Sequence, residues 1–514
     1  MRRAFFARRV ALVEESLRAL PLREQARCRQ AVDHFGGAAG TFPQRLCLYD
    51  KWWKRASKGG FKAPADAPGP ILFYTGNESP VDEYVNNTGL MWELAEDLGA
   101  LIVFAEHRYE PLSHPALCGT QRCFAYCTTA QAIADWVTII AALRRKHKVR
   151  APVVAFGGSY GGMLAGWLRM KYPEVVDGVI AASAPIWQLA GTVQRETLDM
   201  PAVAISKGVS AAGGATDRCR DNLKAAWPLL QEAGRTAAGL RLLSRSVKAC
   251  SPLHDARALT RWAQSPYFFL AEGNYPFPST YITFSVTEGK AFPLPSWPMR
   301  VACERGIDAD FGVRVDGSVA DVNFTLSLGD LEVAVDWADA TGNGDTLTAE
   351  QLEASGDRSA CAFTGTLSRG FSWGGVCSND ALSQVEVQGV GRDIYWPPSA
   401  RERGFTVESV VGPRGLRPRP GGSNRGGGMR GGPLVGDKWS EWMQAYYGGR
   451  NVSRHRNIIA LVLDLGAHHF DRMLGAHHLD LMFADPRNPP CFAEARAIEE
   501  RMIRRWIQEA YDAI

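Results

Sequence analysis

The sequence contains no long hydrophobic run, no C-x-x-C motif and no strong excess of charge. Nowhere do roughly 18 uncharged apolar residues follow one another, as a membrane span requires. The 58 basic and 54 acidic side chains leave a formal charge of +4 over 514 residues, which gives no reason to expect a nucleic-acid or membrane partner. The 11 cysteines form no C-x-x-C pair, which argues against a redox motif or a zinc ribbon.

The N-terminus also lacks the pattern of a cleavable signal peptide. Its first apolar run is interrupted by Arg8, Arg9, Glu14 and Glu15, whereas a signal peptide has an uninterrupted apolar core. Four N-x-[ST] sequons occur, at Asn77, Asn86, Asn323 and Asn451. The cysteines fit either scattered buried thiols or the disulfides of a secreted or lysosomal enzyme, so composition leaves the compartment open.

Between residues 70 and 200 the chain alternates short apolar runs with helical periodicity. The pattern predicts strands at 70–74, 100–105, 152–156 and 178–182, and helices at 89–98 and 128–145. Continuous apolar strands between helices are typical of a parallel sheet that is covered on both faces. A further strand is predicted at 457–463 and an amphipathic helix at 492–514.

Two stretches interrupt this alternation. Residues 196–395 are helical in composition at first and irregular beyond 305, which predicts a separate inserted unit. Residues 412–433 are rich in Gly, Arg and Pro, a composition that cannot bury enough apolar surface to order itself and therefore predicts a loop.

The strongest chemical signal is the segment Gly157–Gly162, which matches G-x-S-x-G with Ser159 at its centre. An apolar strand precedes it and a helix follows, so the pattern predicts a sharp strand-to-helix turn that exposes the serine hydroxyl. The positive end of the helix favours the developing negative charge, and the backbone N–H of Tyr160 is a natural oxyanion-hole donor. We predict that Ser159 is a nucleophile.

A serine hydroxyl needs a base, and in this kind of site the base follows the acid and the serine along the chain. Candidates lie in a tandem nonapeptide that contains four histidines, His468, His469, His477 and His478. The H-H-x-D clusters carry no open-site pattern such as H-E-x-x-H, and an EF-hand-like stretch at 339–350 has Thr346 where an apolar residue is expected. We therefore predict no metal ion and no cofactor.

Several motifs together resemble the serine carboxypeptidase S28 family. The matching segments are 32–35, 41–45, 73–78, 86–89, 104–109, 157–163, 182–187, 447–449 and 475–481. The resemblance implies an α/β-hydrolase fold with a mainly helical inserted cap domain. It implies an N-terminal extension over 1–30, the hydrolase domain over 31–195 and 446–514, the cap over 196–395, and the Gly/Arg/Pro-rich loop over 396–445.

The resemblance also implies a function and its residues. Ser159 matches the family nucleophile, and His477 matches the base because Leu479-Asp480-Leu481 follows only the second repeat. The oxyanion hole would use Tyr160 and Gly76, and the substrate-binding residues would be Asn77 and Glu78. The implied activity is exopeptidase cleavage of proline-containing peptides after proline, in a lysosomal, vacuolar or secreted glycoprotein, with a homodimer as a further expectation.

The sequence departs from the family at the third catalytic residue. The family's Ser-Asn-Gly-x-Leu-Asp-Pro-Trp segment is missing, and Asp464, at the end of the right strand, is the nearest remnant of its aspartate. Asp471 is a second substitute, and loss of the segment, by a gene-assembly error or real decay, is the other reading. The functions left open are a carboxypeptidase, a dipeptidyl peptidase, a catalytically impaired binding protein, and an esterase or lipase.

Overall fold

The structure is a computed structural model, and it describes most of residues 25–304, residues 458–461 and nearly all of residues 481–514. The described residues are 25–36, 40–77, 79–108, 110, 112–113, 126, 128–146, 150–184, 205–246, 252–256, 259–260, 263, 267, 270–279, 281, 293–304, 458–461, 481–488 and 490–514.

The described residues form one seven-stranded mixed sheet. The strands are β1 (Gln25–Ala31), β2 (Thr41–Tyr49), β3 (Ile71–Thr75), β4 (Leu101–Ala105), β5 (Val153–Gly158), β6 (Gly178–Ala182) and β7 (Ile458–Leu461). Their spatial order is β1-β2-β4-β3-β5-β6-β7. Strand β2 pairs antiparallel with both of its neighbours, whereas every pair from β4 to β7 is parallel. The carboxyl ends of these parallel strands therefore lie along one edge of the sheet.

Helices follow most of the parallel strands. They are α1 (Val81–Asn87), α2 (Gly89–Leu98), α3 (Thr129–Lys146), α4 (Ser159–Lys171), α5 (Asp217–Ala233), α6 (Ala237–Ser246), α7 (Pro298–Ala302) and α8 (Pro490–Asp512). None of these described helices has a stretch long and apolar enough to cross a bilayer.

The sheet is buried on both faces, because side chains along each strand alternate between two apolar clusters. On β3, Leu72 and Tyr74 belong to one cluster, whereas Ile71 and Phe73 belong to the other. The first cluster includes side chains of α2 and α8, and the second includes side chains of α3 and α4. Helices thus cover both faces of the sheet, as the apolar strands predict.

The predicted strands and helices of the 70–200 region are confirmed, with ends that differ by one or two residues. Strands β1 and β2 were not predicted. They carry Gln30, Gln44 and Arg45, which are buried polar side chains held by hydrogen bonds, so these strands lack the apolar pattern. Because β1 begins at Gln25, the sheet starts within the stretch expected to be an N-terminal extension.

The helices α5 and α6 occupy the segment that is helical in composition. Helix α5 ends at Gly234, where a Cβ atom would lie 2.3 Å from the Cβ of Ala256. A small apolar cluster of Leu230, Leu243, Leu253, Ala256 and Leu259 packs there. A disulfide joins Cys219 of α5 to Cys303, 84 residues further along the chain.

Candidate active site

Ser159 stands at the point where β5 ends and α4 begins. Its φ angle is 52°, in the left-handed region that is unfavourable for any residue with a side chain. Strained backbone of this kind persists only where surrounding structure enforces it, and it is concentrated at functional sites. The Ser159 side chain is half-buried, whereas every residue of β5 below it is buried. The predicted strand-turn-helix context of G-x-S-x-G is thus confirmed.

Small residues around Ser159 are required because other chain segments approach the turn closely. A Cβ atom on Gly157 would lie 2.3 Å from the carbonyl oxygen of Gly161 and 2.4 Å from Oγ1 of Thr75. On Gly162 it would lie 3.0 Å from the carbonyl oxygen of Ala182. The glycines of the motif therefore let β3, β5 and β6 meet at this turn.

The loop after β3 passes directly beside the turn. The Oγ1 atom of Thr75 lies 3.0 Å from the carbonyl oxygen of Phe156 and 2.8 Å from that of Gly161. The side chain of Asn77 donates to the carbonyl oxygen of Gly158 at 2.9 Å and accepts from the N–H of Gly161 at 2.8 Å. These contacts bring the predicted residue Asn77 to the turn that carries Ser159.

Gly76 lies against the end of β4. A Cβ atom at this position would lie 2.4 Å from the carbonyl oxygen of Ala105 and 2.5 Å from the backbone nitrogen of His107. Only glycine fits there, which fixes the path of the loop that leads to Asn77. A backbone group of this loop is the predicted second donor of the oxyanion hole.

The ring of Tyr160 is buried beneath the turn and contacts His107. The tyrosine hydroxyl lies 3.2 Å from Nε2 of His107, and Nδ1 of His107 lies 2.8 Å from the carbonyl oxygen of Arg108. The carbonyl can only accept, so Nδ1 carries the proton and Nε2 accepts from the tyrosine. Burial lowers the pKa of His107 to about 4, which keeps the imidazole neutral.

A buried ionic network continues from Arg108 away from the turn. The guanidinium donates to both carboxylate oxygens of Asp135, at 2.7 and 2.6 Å, and Nε2 of His34 lies 2.7 Å from the same carboxylate. Burial alone would raise the pKa of Asp135, but the charge of Arg108 and the hydrogen bonds from His34 and Arg108 lower it. The network holds β1, β4 and α3 together.

A second buried network links Arg45 of β2 to Glu106 after β4. Arg45 forms a bidentate pair with Asp82 of α1, at 2.5 and 2.6 Å, and lies 3.6 Å from Glu106. Burial raises the pKa of Glu106, while its 2.5 Å hydrogen bond from Ser113 opposes that rise. The network fixes the start of α1, which follows the Gly76–Asn77 loop.

The structure brings together four of the residues predicted for the site. Ser159, Tyr160, Gly76 and Asn77 belong to the turn and its neighbouring loop. Glu78, Asp464 and His477 lie outside the described residues, as do His468, Asp471 and the 339–350 stretch. Their roles stay predictions. Among the described residues, no group of three or more His, Cys, Asp or Glu side chains is arranged to hold a metal ion.

Two residues at the turn were not predicted, namely Thr75 and His107. Each is 50 or more residues from its partner at the turn, with separations of 86 from Gly161 and 53 from Tyr160. No local pattern in the sequence indicates such contacts. One signal was their place at the ends of predicted strands, because the carboxyl ends of parallel strands meet at one edge of the sheet. The other was their place in the family-like segments 73–78 and 104–109.

The fold and this turn define the class of protein. A mostly parallel sheet with one antiparallel inner strand, and a serine of positive φ between a central strand and its helix, form an α/β-hydrolase with a nucleophile elbow. The profile of the family described as serine carboxypeptidase S28 matches residues 30–311. The chain belongs to that family and is a serine-type peptidase, which is a hydrolase.

Relatives cover most of the chain. Lysosomal Pro-X carboxypeptidase of Homo sapiens is 31% identical over 518 residues, which cover 94% of this chain and 88% of that protein. Prolyl carboxy peptidase like protein 5 of Caenorhabditis elegans is 28% identical over 473 residues, covering 86% and 83%. A solved esterase from Pyrobaculum calidifontis aligns with 39% of this chain and 57% of its own at 16% identity, with a TM-score of 0.23.

Proposed function

We propose that this chain is an exopeptidase that cleaves peptides after proline, acting as a Pro-X carboxypeptidase or as a dipeptidyl peptidase. The observation that carries the proposal is the strained turn at Ser159, with its φ of 52°, at the carboxyl edge of the sheet. The proline preference is carried over from the similarity to Pro-X carboxypeptidases. Family membership favours a peptidase over the esterase or lipase alternative.

In the proposed reaction, Ser159 attacks the carbonyl carbon of the proline residue. His477 takes the proton from the serine hydroxyl and returns it to the leaving amine, and Asp464 orients the imidazole. The N–H of Tyr160 and a backbone group at Gly76 stabilise the oxyanion of the tetrahedral intermediate. Water then attacks the acyl group on Ser159. His477 takes the proton of the water and returns it to the serine oxygen, which releases the carboxylic acid product.

The position of β7 supports Asp464 as the acid. Gly158 pairs with Ala182, and Ala182 pairs with Leu461, so these three residues lie in a row across the sheet. Neighbouring strands are about 4.8 Å apart, which puts Leu461 roughly 10 Å from Gly158. Asp464 follows three residues later, and three extended residues span about 10 Å, so the chain is long enough for the Asp464 carboxylate to reach the site.

The return of the chain supports His477 as the base. Leu481 and Met482 are buried in the same apolar cluster as Tyr74 and Phe156, which precede the oxyanion loop and the nucleophile turn. His477 is four residues before Leu481 in the sequence. The chain therefore returns to this apolar face of the sheet four residues after His477, which is compatible with the proposed proton transfer.

The helices of the inserted region support a cap over the site. We propose that 196–395 forms this cap and limits entry to one end of a peptide. The hydrolase domain would then comprise 446–514 and the first part of the chain up to 195, starting at or before Gln25 rather than at residue 31. The described part includes α5, α6 and α7, with the Cys219–Cys303 disulfide between them. A disulfide of this kind is typical of oxidising compartments, which supports a lysosomal or secreted location. The homodimer stays a prediction.

Labelling with a fluorophosphonate probe tests the proposed triad. We expect rapid labelling of the wild type and none of Ser159→Ala, while His477→Ala loses most of the rate. His468→Ala, the equivalent change in the first repeat, is the matched control and should label like the wild type. Asp464→Asn should be slowed by up to about 10⁴-fold through loss of the correct imidazole tautomer, whereas Asp471→Asn should not. Equal, slow labelling of wild type and His477→Ala would support the binding-protein alternative instead.

Blocked peptides then separate the two exopeptidase types. A carboxypeptidase should cleave a peptide ending in Pro-X and fail when its C-terminus is amidated. A dipeptidyl peptidase should cleave a peptide beginning with X-Pro and fail when its N-terminus is acetylated. Cleavage of a proline peptide blocked at both ends would contradict the exopeptidase proposal.

A further inference from the structure

The side chain of Asn77 joins two backbone groups on either side of Ser159 and Tyr160. Its Nδ2 atom donates to the carbonyl oxygen of Gly158 at 2.9 Å, and its Oδ1 atom accepts from the N–H of Gly161 at 2.8 Å. The amide orientation is unambiguous, because a carbonyl can only accept and an N–H can only donate. Asn77 thus contacts both ends of the nucleophile turn.

The helix that follows the turn needs such a partner. The first four N–H groups of an α-helix have no acceptor within the helix, and a polar N-cap side chain normally accepts one of them. The N-cap of α4 is Gly158, which has no side chain and makes no such hydrogen bond. Asn77, in the loop after β3, accepts the hydrogen bond of the Gly161 N–H in place of an N-cap side chain.

The conformation of Ser159 also needs external support. A φ of 52° is unfavourable for serine and persists only when the surrounding contacts enforce it. Asn77 fixes the residue before Ser159 through Gly158 and the second residue after it through Gly161. Releasing either end would let the turn relax toward ordinary backbone angles and move the hydroxyl.

We propose that Asn77 is a positioning residue that holds the Ser159 turn in its reactive conformation, and that its side chain does not bind the peptide. This inference rests on the proposed function of Ser159 as the nucleophile. The Asn77 side chain is 2% exposed, and both of its polar atoms are bonded to the turn. A glycan on the Asn77 sequon would be incompatible with this fold, because the amide nitrogen is buried and bonded to Gly158.

Asn77 also couples the turn to the oxyanion loop. Its backbone follows Gly76, whose position is fixed against Ala105 and His107. Together with Thr75, Asn77 therefore helps to set the distance between that loop and the N–H groups at the start of α4. A displacement of about 1 Å in such an arrangement can cost on the order of 10²-fold in rate.

The test compares Asn77→Ala, which removes both hydrogen bonds, with Asn77→Asp, which keeps an acceptor for Gly161 but loses the donor to Gly158. The second-order rate constant for fluorophosphonate labelling is measured, together with kcat and KM on a Pro-X peptide. Labelling needs the nucleophile turn but no peptide subsite. We expect labelling and kcat to fall together by about 10- to 100-fold, with KM within about twofold of the wild type.

The control is Asn222→Asp on α5, because Asn222 is also 2% exposed and the chemical change is the same. It should leave the labelling rate of the folded protein unchanged. Circular dichroism checks folding of each variant, and if Asn77→Ala does not fold, Asn77→Asp decides the question.

The outcomes separate this inference from the proposed function. Wild-type labelling rates in the Asn77 variants, with a raised KM, would mean that Asn77 binds substrate and would overturn the inference alone. A wild-type protein that does not react with the probe overturns the proposed function, and the inference with it.

Discussion

The hydroxyl of Tyr160 donates a hydrogen bond to Nε2 of His107, which ties the residue after the nucleophile to the end of β4. The imidazole is fixed in turn by its bond to the carbonyl of Arg108, whose guanidinium is locked onto Asp135. Because burial lowers the pKa of His107 to about 4, Nε2 remains an acceptor over the range of acidic compartments. A fixed Tyr160 ring holds the backbone N–H proposed for the oxyanion hole.

Removing that hydroxyl should slow catalysis without weakening substrate binding. In Tyr160→Phe, Nε2 of His107 loses its partner in a buried position, and we expect kcat to fall by about three- to tenfold with KM unchanged, corresponding to the loss of about one hydrogen bond. Steady-state kinetics on a Pro-X peptide provide the measurement. Tyr49→Phe is the control, because Tyr49 makes ring contacts with Trp52 and Trp92 away from the turn. Unchanged kcat in Tyr160→Phe would contradict the role of this contact.

Replacing Asp135 should lower the free energy of unfolding, because its side chain links the end of β1 to Arg108. Asp135→Asn leaves Arg108 charged and buried without its carboxylate, and breaking such a pair costs about 3–5 kcal/mol of unfolding free energy. Urea titration followed by tryptophan fluorescence measures the loss. Asp66→Asn is the matched control, since Asp66 pairs with Arg55 at 3.3 Å on the exposed surface and should change stability little. Equal effects of the two substitutions would show that the network is not stabilising.

Glu83 should make stability fall as the pH rises. Its side chain is 4% exposed, and burial, with a contribution from the charge of Asp82, raises its pKa to about 8. A carboxyl group whose pKa is higher in the folded than in the unfolded protein stabilises the folded state fully below about pH 4.5. This contribution is lost as the pH rises through 8. Glu83→Gln removes this titration. The unfolding free energy of the variant should therefore increase relative to that of the wild type between pH 5 and 8, by at most about 5 kcal/mol.

Thermal unfolding at several pH values measures that difference. Glu96→Gln, an exposed change on α2, is the control and should follow the wild type at every pH. Parallel pH curves for Glu83→Gln and the wild type would mean that Glu83 is ionised in the folded protein.

Reduction of the Cys219–Cys303 bond should lower stability. The bond closes a loop of 84 residues, and cross-linking a loop of that size restricts the unfolded chain by about 4 kcal/mol in the chain-entropy account. The double variant Cys219→Ser, Cys303→Ser should therefore have a lower denaturation midpoint, measured in guanidinium. Adding reductant should lower the midpoint of the wild type by more than it lowers that of the variant. Cys28 and Cys47 are free thiols, and a Cys47→Ser control should respond to reductant like the wild type.

The sequence predicted the parallel core of the sheet because those strands are apolar without interruption. Strands β3, β4, β5 and β6 are buried on both faces, so every position selects for an apolar or small residue and the pattern is visible locally. Strands β1 and β2 escaped prediction because Gln30, Gln44 and Arg45 are buried with polar partners from distant segments. In the sequence, polar residues of this kind are typical of exposed positions, although these three are buried.

By itself the sequence determined the family and pointed to Ser159 as the nucleophile. The motif around Ser159 depends on glycines that are adjacent in the chain, and adjacency is what a sequence records. The tertiary structure alone decided which side chains support that turn. Asn77, Thr75 and His107 reach it only because parallel strands end at one edge of the sheet, which brings residues 53 to 86 positions apart within hydrogen-bonding distance.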